Sequence, residues 1–275
     1  MSLIRSSFPA PGVLLLSLAR PPVNALHTPL FAQIRDALEQ ADRDPEVRCV
    51  VFASAVDKGF TAGLDLHDQT LHQQSTDPAR TALLVRDYIA FLQSAVSALE
   101  KCSKPVVAAV HGLCIGGGID LISACDVRLC SADSVFSIKE VDIALAADLG
   151  SLQRLPKTTS NASLLAELAL TARNFGPAEA DKLGLVSQVV KGGREAVLDA
   201  AVEVAKVIAS KSPIATLSTK HLLNYSRDHT VQEGLEYTQA WNMSMIQCAD
   251  IPAAFSAFST KRRPEFADLP KRSKL

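Results

Sequence analysis

Four near-continuous apolar runs of strand length, residues 13–18, 49–53, 106–110 and 127–130, do most to limit what this chain can become. A strand with one wet face alternates apolar and polar residues. These runs do not, so each is expected to be covered on both faces, as in a parallel sheet layered with helices. Helical patterns lie between them: Leu30, Ile34, Ala37, Leu38 and Ala41 recur at helical spacing, residues 83–99 form a longer amphipathic pattern, and residues 116–124 begin a third helix. The predicted fold class is α/β.

Past residue 185 the pattern changes. One strand, 186–190, precedes four helix candidates, of which the clearest starts with Ser212 as N-cap and Pro213 at the first helical position and runs towards Tyr225. Further helices are expected near residues 231–246 and 252–258. No low-complexity linker or fixed-period repeat intervenes, so the expected organisation is a core of residues 1–190 and a C-terminal helical region of residues 191–275. Trp241, Met243, Met245, Phe255 and Phe258 make that region apolar enough to serve as a lid on its own core or as a contact between copies.

Charge and cysteine usage remove several function classes. The balance of 28 Lys and Arg against 29 Asp and Glu gives a net charge of −1, which provides no field for nucleic acid or an anionic membrane surface. The six cysteines form no C-x-x-C pair and read as reduced thiols. Histidine spacing is equally unpromising for metal, since no H-E-x-x-H occurs and His67 and His72 are wrongly spaced for one helical face. No metal site is expected. No apolar run is read as approaching the ~20 residues of a bilayer span, so no membrane insertion is expected either. The N-terminus, with Arg5, Pro9 and Pro11 ahead of a strand, lacks the order of a signal peptide.

Chemistry concentrates in three places. Gly116-Gly117-Gly118 follows a strand and a short turn at residues 111–114, and opens a helix without the spacing of a dinucleotide or nucleoside triphosphate loop. Two readings stay open here: unpaired backbone N–H groups that donate to an oxyanion, or simple close packing of helix on strand. Residues 60–66, Phe-Thr-Ala-Gly-Leu-Asp-Leu, form a second small-residue kink that could supply another N–H to the same oxygen. Third come the acids. Asp120 stands in a first helical turn, where capping competes with catalysis. Glu140 and Asp148 lie in largely apolar sequence, where desolvation raises a carboxyl pKa and makes a base able to move protons at carbon. Structural pairing with Lys139 or Arg154 is the competing explanation for both.

Arg20-Pro21-Pro22-Val23-Asn24-Ala25-Leu26, then residues 60–66, then His111 through Asp120 and Cys125-Asp126-Val127-Arg128 occur in an order and spacing that resembles the enoyl-CoA hydratase/isomerase (crotonase) superfamily over about residues 10–260. Within it the likeness is nearest to the branch that converts 3,5-dienoyl-CoA to 2,4-dienoyl-CoA. Asp120 stands where hydratases of the family usually carry Glu, and Glu140 and Asp148 supply two further acids; residues 151–157, 211–213 and 226–229 continue the likeness. The resemblance implies a spiral of β-β-α turns with C-terminal helices used for trimerisation, often as a dimer of trimers. It also implies an oxyanion hole from the N–H groups of Leu64 and Gly117, and a CoA site along Ala62, Gly63, Leu64, Asp65 and Leu66, with Gly117.

By that analogy Glu140 serves C2 and Asp148 serves C6, or the reverse, while Asp120 orients or supports them. The substrate is an acyl-CoA thioester, and no cofactor is implied beyond the CoA that it carries. The alternative activity is an enoyl-CoA hydratase, in which Asp148 would have no task. A silent or RNA-binding relative is disfavoured by the near-neutral charge. The basic cluster Lys261-Arg262-Arg263 reads as a solvated run and is left out of the site. Ser273-Lys274-Leu275 spells the tripeptide read by the peroxisomal import receptor, so a peroxisome or related microbody is the expected location.

Overall fold

The computed structural model describes residues 2–68, 77–271 and 273. His72, Lys274 and Leu275 therefore lie outside the described residues. The larger of two sheets has six strands in the order β1 (Ile4–Ala10), β2 (Val13–Leu18), β3 (Cys49–Ser54), β5 (Val106–Val110), β7 (Val127–Ser131) and β9 (Gln188–Val190). Only β1 runs antiparallel to its neighbour, and every pairing from β2 to β9 is parallel. The smaller sheet is β4 (Gly59–Thr61), β6 (Leu113–Ile115) and β8 (Val135–Ser137), also parallel.

The strands β3, β5 and β7 are each followed by a short strand and then by helix. β3 and β4 lead to α2 (Pro78–Lys101), β5 and β6 to α3 (Gly117–Ser123), and β7 and β8 to a 3₁₀ turn (Glu140–Ile143) and helices α4 (Ser151–Thr158), α5 (Ala162–Thr171) and α6 (Pro177–Leu183). This is the expected spiral of β-β-α turns.

The unbroken apolar character of the central strands has a direct explanation. Leu14, Leu16, Val50, Phe52, Val106 and Ala108 face one core with α1 (Thr28–Arg43), α2 and the small sheet. The alternate residues Val13, Cys49, Val51, Val107 and Ala109 face α7 (Arg194–Ala209), which lays Val197, Ala201, Ala205 and Ala209 at four-residue spacing along the sheet. Alanine at these positions lets helix and sheet approach closely. Each fully buried Val or Leu contributes ~1.5–3 kcal/mol relative to exposure. Although α7 follows residue 190, it packs on the strands of the core.

The small sheet departs from the sequence expectation, which gave residues 111–114 as a turn and 60–66 as a kink. Strands of three residues carry no readable period, and glycine breaks the pattern further: a Cβ on Gly59 would lie 2.2 Å from the Leu113 amide nitrogen. A second correction concerns α2, which has 24 residues and by length and composition is apolar enough to cross a bilayer. In this fold its C-terminal half is a core helix, with Leu92, Ala95, Val96 and Leu99 buried, and Arg86 and Asp87 interrupt its exposed half.

Beyond α7 come α8 (Pro213–Ser226), α9 (Val231–Met245) and α10 (Asp250–Ser259). Ser212 caps α8 as expected, accepting from the Ala215 N–H at 3.1 Å. Trp241 is packed, not exposed: its ring stacks on His221 at 4.1 Å and its Nε1–H donates to Ser218 Oγ at 3.0 Å, tying α9 to α8. All six cysteines are free thiols, and all but Cys248 are buried.

Candidate active site

The loop at residues 62–66 is held by the segment at residues 20–26. Asn24, in a left-handed conformation (φ 50°), receives the Arg20 N–H and donates through Nδ2 to Ser54 Oγ (2.7 Å) and to the Phe60 carbonyl (2.9 Å). Arg20 donates to the Ala25 carbonyl and pairs with Asp65 at 2.6 Å. Leu26 then bridges Leu64 in parallel, donating to the Gly63 carbonyl (2.8 Å) and accepting from the Asp65 N–H (2.7 Å). Successive amides of an extended segment point to opposite sides, so the Leu64 N–H faces away from Leu26.

Opposite stands the start of α3. Gly116 has φ +52° and ψ −117°, open to glycine alone, and its N–H donates to the Ser137 carbonyl at 2.9 Å. A Cβ at Gly116 would lie 3.1 Å from Glu140 Oε1, one at Gly117 2.9 Å from Leu26 Cδ1, and one at Gly118 2.6 Å from Thr61 Cγ2. The close-packing reading is met, and the N–H that the oxyanion reading requires is left unpaired. Gly118 permits the helix to lie on the small sheet, and Gly117, at the first helical position, has a free N–H. Among the described residues, neither the Leu64 nor the Gly117 N–H has an acceptor.

Both residues line a cavity of about 270 Å³ together with Asp120, Glu140 and Asp148. Ala62, Gly63 and Leu66 line it too. Asp65 does not, because its carboxylate is committed to Arg20 and holds the loop from behind. Much of the remaining wall was not foreseen: Phe31, then Leu84, Val85, Tyr88, Ile89 and Leu92 from α2, and Ile143 and Leu145 after Glu140, with Lys139 also at its edge. Tyr88 OH meets Thr28 Oγ1 at 3.0 Å. The run Leu83-Leu84-Val85 was the available signal, since consecutive apolar residues at the exposed start of a helix serve no core. Among the described residues no lining residue follows Leu149, so the C-terminal helices of this chain do not act as a lid over its own cavity.

The acids differ in setting. Asp120 is 1% exposed, and its Oδ1 accepts from the Ser151 N–H at 2.7 Å, so it binds the start of α4. Burial pushes its pKa up to about 6. Glu140 has a buried Oε2 without a hydrogen-bond partner, and burial, followed by the charge of Asp120, pushes it up to about 7. Burial also raises Asp148. The competing structural pairings do not form. Lys139 pairs with Asp142 at 2.6 Å and donates to the Ala172 carbonyl, while Arg154 pairs with Glu100 at 3.1 Å. The carboxyl groups of Glu140 and Asp148 carry no cation partner among the described residues.

A stability prediction follows for Glu140. Its folded pKa is raised, so its contribution is complete below its ordinary value of 4.5 and is lost as pH rises through about 7. Glu140→Gln does not titrate. The variant's stability relative to the parent should therefore rise by ~1–2 kcal/mol between about pH 5 and about pH 8 in thermal melts. A difference independent of pH would contradict the burial argument.

Two unpaired amides beside an apolar pocket that also holds three carboxyl groups suit an enzyme that stabilises negative charge on a substrate oxygen while protons move at carbon. Residues 10–270 match the Enoyl-CoA hydratase/isomerase family, and the chain belongs to it. The mitochondrial Delta(3,5)-Delta(2,4)-dienoyl-CoA isomerase of Homo sapiens is 47% identical over 237 residues, covering 85% of this chain and 72% of that protein. The peroxisomal protein of the same name from Arabidopsis thaliana is 44% identical over 251 residues, covering 90% and 89%. Among solved structures, the enoyl-CoA hydratase from Bacillus anthracis superposes with a TM-score of 0.87 at 27% identity, covering 97% of this chain and 99% of that one. The crotonase-type spiral expected from the sequence is the fold observed.

Proposed function

We propose that this chain isomerises 3,5-dienoyl-CoA thioesters to their 2,4-isomers. The observation that carries the reading is the convergence of three carboxyl groups, none of them in an ion pair among the described residues, on one largely apolar cavity beside two unpaired N–H groups.

The shift moves each double bond by one carbon. A carboxylate takes a proton from C2, the C2–H electron pair becomes C2=C3, the C3=C4 pair becomes C4=C5, and the C5=C6 pair takes a proton at C6 from a second carboxyl. One proton leaves and one arrives, with no change of oxidation state, so the reading calls for no cofactor beyond the CoA of the substrate. Negative charge that develops on the thioester oxygen is held by the Leu64 and Gly117 N–H groups, each such donor being worth ~10²–10³ in rate. Glu140 lies against Gly116, beside the amide that holds C1–O, and so is the group next to C2. Asp148 is then left to serve C6, with Asp120 sustaining the raised pKa of Glu140.

The test is ultraviolet absorbance of the pure protein with 3,5-octadienoyl-CoA and with 2-octenoyl-CoA. Growth of the conjugated 2,4-dienoyl band supports the isomerase. Loss of enoyl absorbance alone identifies a hydratase and contradicts it. The reaction needs one ionised and one protonated carboxyl, so kcat/KM should be bell-shaped in pH, with one limb near the Glu140 value of about 7.

Assembly and location complete the reading. Met243, Ile246, Phe255 and Phe258 are exposed apolar residues on and between α9 and α10, which supports a homotrimer or a dimer of trimers. For the cellular address we infer a peroxisome or related microbody, reached through Ser273-Lys274-Leu275 and its import receptor. The relative named peroxisomal supports this, and those named mitochondrial are the competing outcome. A fluorescent fusion should enter peroxisomes and lose that import when the tripeptide is deleted. Unchanged import, or delivery to mitochondria, would contradict the address.

A further inference from the structure

Residues 145–150, which include Asp148, have no regular secondary structure, yet Asp148, Leu149 and the first residue of α4, Ser151, are each held by a hydrogen bond. The Asp148 carbonyl accepts from Gln93 Nε2 at 2.7 Å, and the Leu149 carbonyl accepts from Arg154 Nη1 at 3.3 Å. Gly150, at φ +128°, leaves room for the Arg154 guanidinium against its backbone. The Ser151 N–H donates to Asp120 Oδ1 at 2.7 Å. Arg154 is fixed in turn by Glu100 Oε2 at 3.1 Å and Ser97 Oγ at 2.9 Å.

Gln93, Ser97 and Glu100 are spaced by four and three residues and so share one face of α2. The same helix presents Leu84, Tyr88 and Leu92 to the acyl cavity. Beyond Asp148 lies a second, polar cavity of about 430 Å³, lined by Gln93, Glu100, Arg154 and Arg227 among others. Packing therefore does not hold the stretch from that side, and hydrogen bonds must.

We propose that Gln93 is a positioning residue that fixes Asp148 along the reacting chain, with Arg154 and Glu100 anchoring the residues that follow. The role rests on the isomerase reading of the site. Gln93 itself is exposed, so its replacement removes nothing from the core. A carboxyl that transfers a proton to carbon must be held within ~0.5 Å of its working position, which a stretch without regular structure does not ensure unaided.

The experiment compares the parent protein with Gln93→Leu, which has no donor, and Gln93→Lys, which keeps one. Steady-state kinetics on 3,5-octadienoyl-CoA are combined with amide hydrogen exchange and thermal melts. Gln93→Leu should lower kcat ~10-fold with KM within about twofold and an unchanged melting temperature. Amides of residues 149–151 should exchange ~5-fold faster in that variant, with the rest of the chain unaffected. Gln93→Lys should keep most of both properties. Unchanged exchange in Gln93→Leu would overturn the proposal whatever the activity. So would faster exchange with normal kcat, or equal losses in the leucine and lysine variants. A parent that does not isomerise the substrate would sink the functional reading instead, and the exchange result would still decide whether Gln93 holds the stretch.

Discussion

Asp148→Asn should lower turnover of 3,5-octadienoyl-CoA by ~10²–10⁴-fold, while acyl-CoA affinity changes by no more than ~3-fold. Asparagine keeps the volume and the backbone that Gln93 and Arg154 hold, but it cannot carry the proton. Because burial raises the Asp148 pKa, the fold gains nothing from its charge, and the variant should melt at or slightly above the parent's temperature. Steady-state kinetics with a calorimetric acyl-CoA titration check both halves. Near-normal turnover would remove Asp148 from the chemistry. A lost fold would show that the carboxylate serves structure after all.

Gly116→Ala should damage rate and stability together. The backbone at φ +52° and ψ −117° excludes a β-carbon, and relaxing it moves the first turn of α3, which carries both Gly117 and Asp120. The new methyl would also press on Glu140 Oε1, 3.1 Å away. A cost of ~1–3 kcal/mol in stability is expected from the strain, together with a fall in kcat of ~10²-fold or more from the displaced amide. Denaturant melts and kinetics on the same preparation measure these. An alanine variant with parental stability would mean that the left-handed turn is not required.

What could be read from the residues depended on element length and on how many faces are buried. β2, β3, β5 and β7 were legible because both faces of each strand are covered, which leaves near-continuous apolar runs. β4, β6 and β8 were not, because three residues show no period and Gly59 and Gly112 adjoin them. Glu140 and Asp148 stood out as acids in apolar sequence, and the cavity they share follows from that composition. Asp65 was assigned to substrate through the motif around it; its carboxylate pairs with Arg20 and does not line the cavity. The cavity wall on α2 escaped notice because a helix pattern alone does not tell a face that meets a core from one that lines a pocket.

The most direct measurement is a crystal structure of the complex with a 2,4-dienoyl-CoA product. The thioester oxygen should lie within about 3.2 Å of the Leu64 and Gly117 nitrogens, with Glu140 about 3–4 Å from C2 and Asp148 about 3–4 Å from C6. An acyl chain that touches only one of the two carboxyl groups, or a thioester oxygen that misses both amides, would contradict the account.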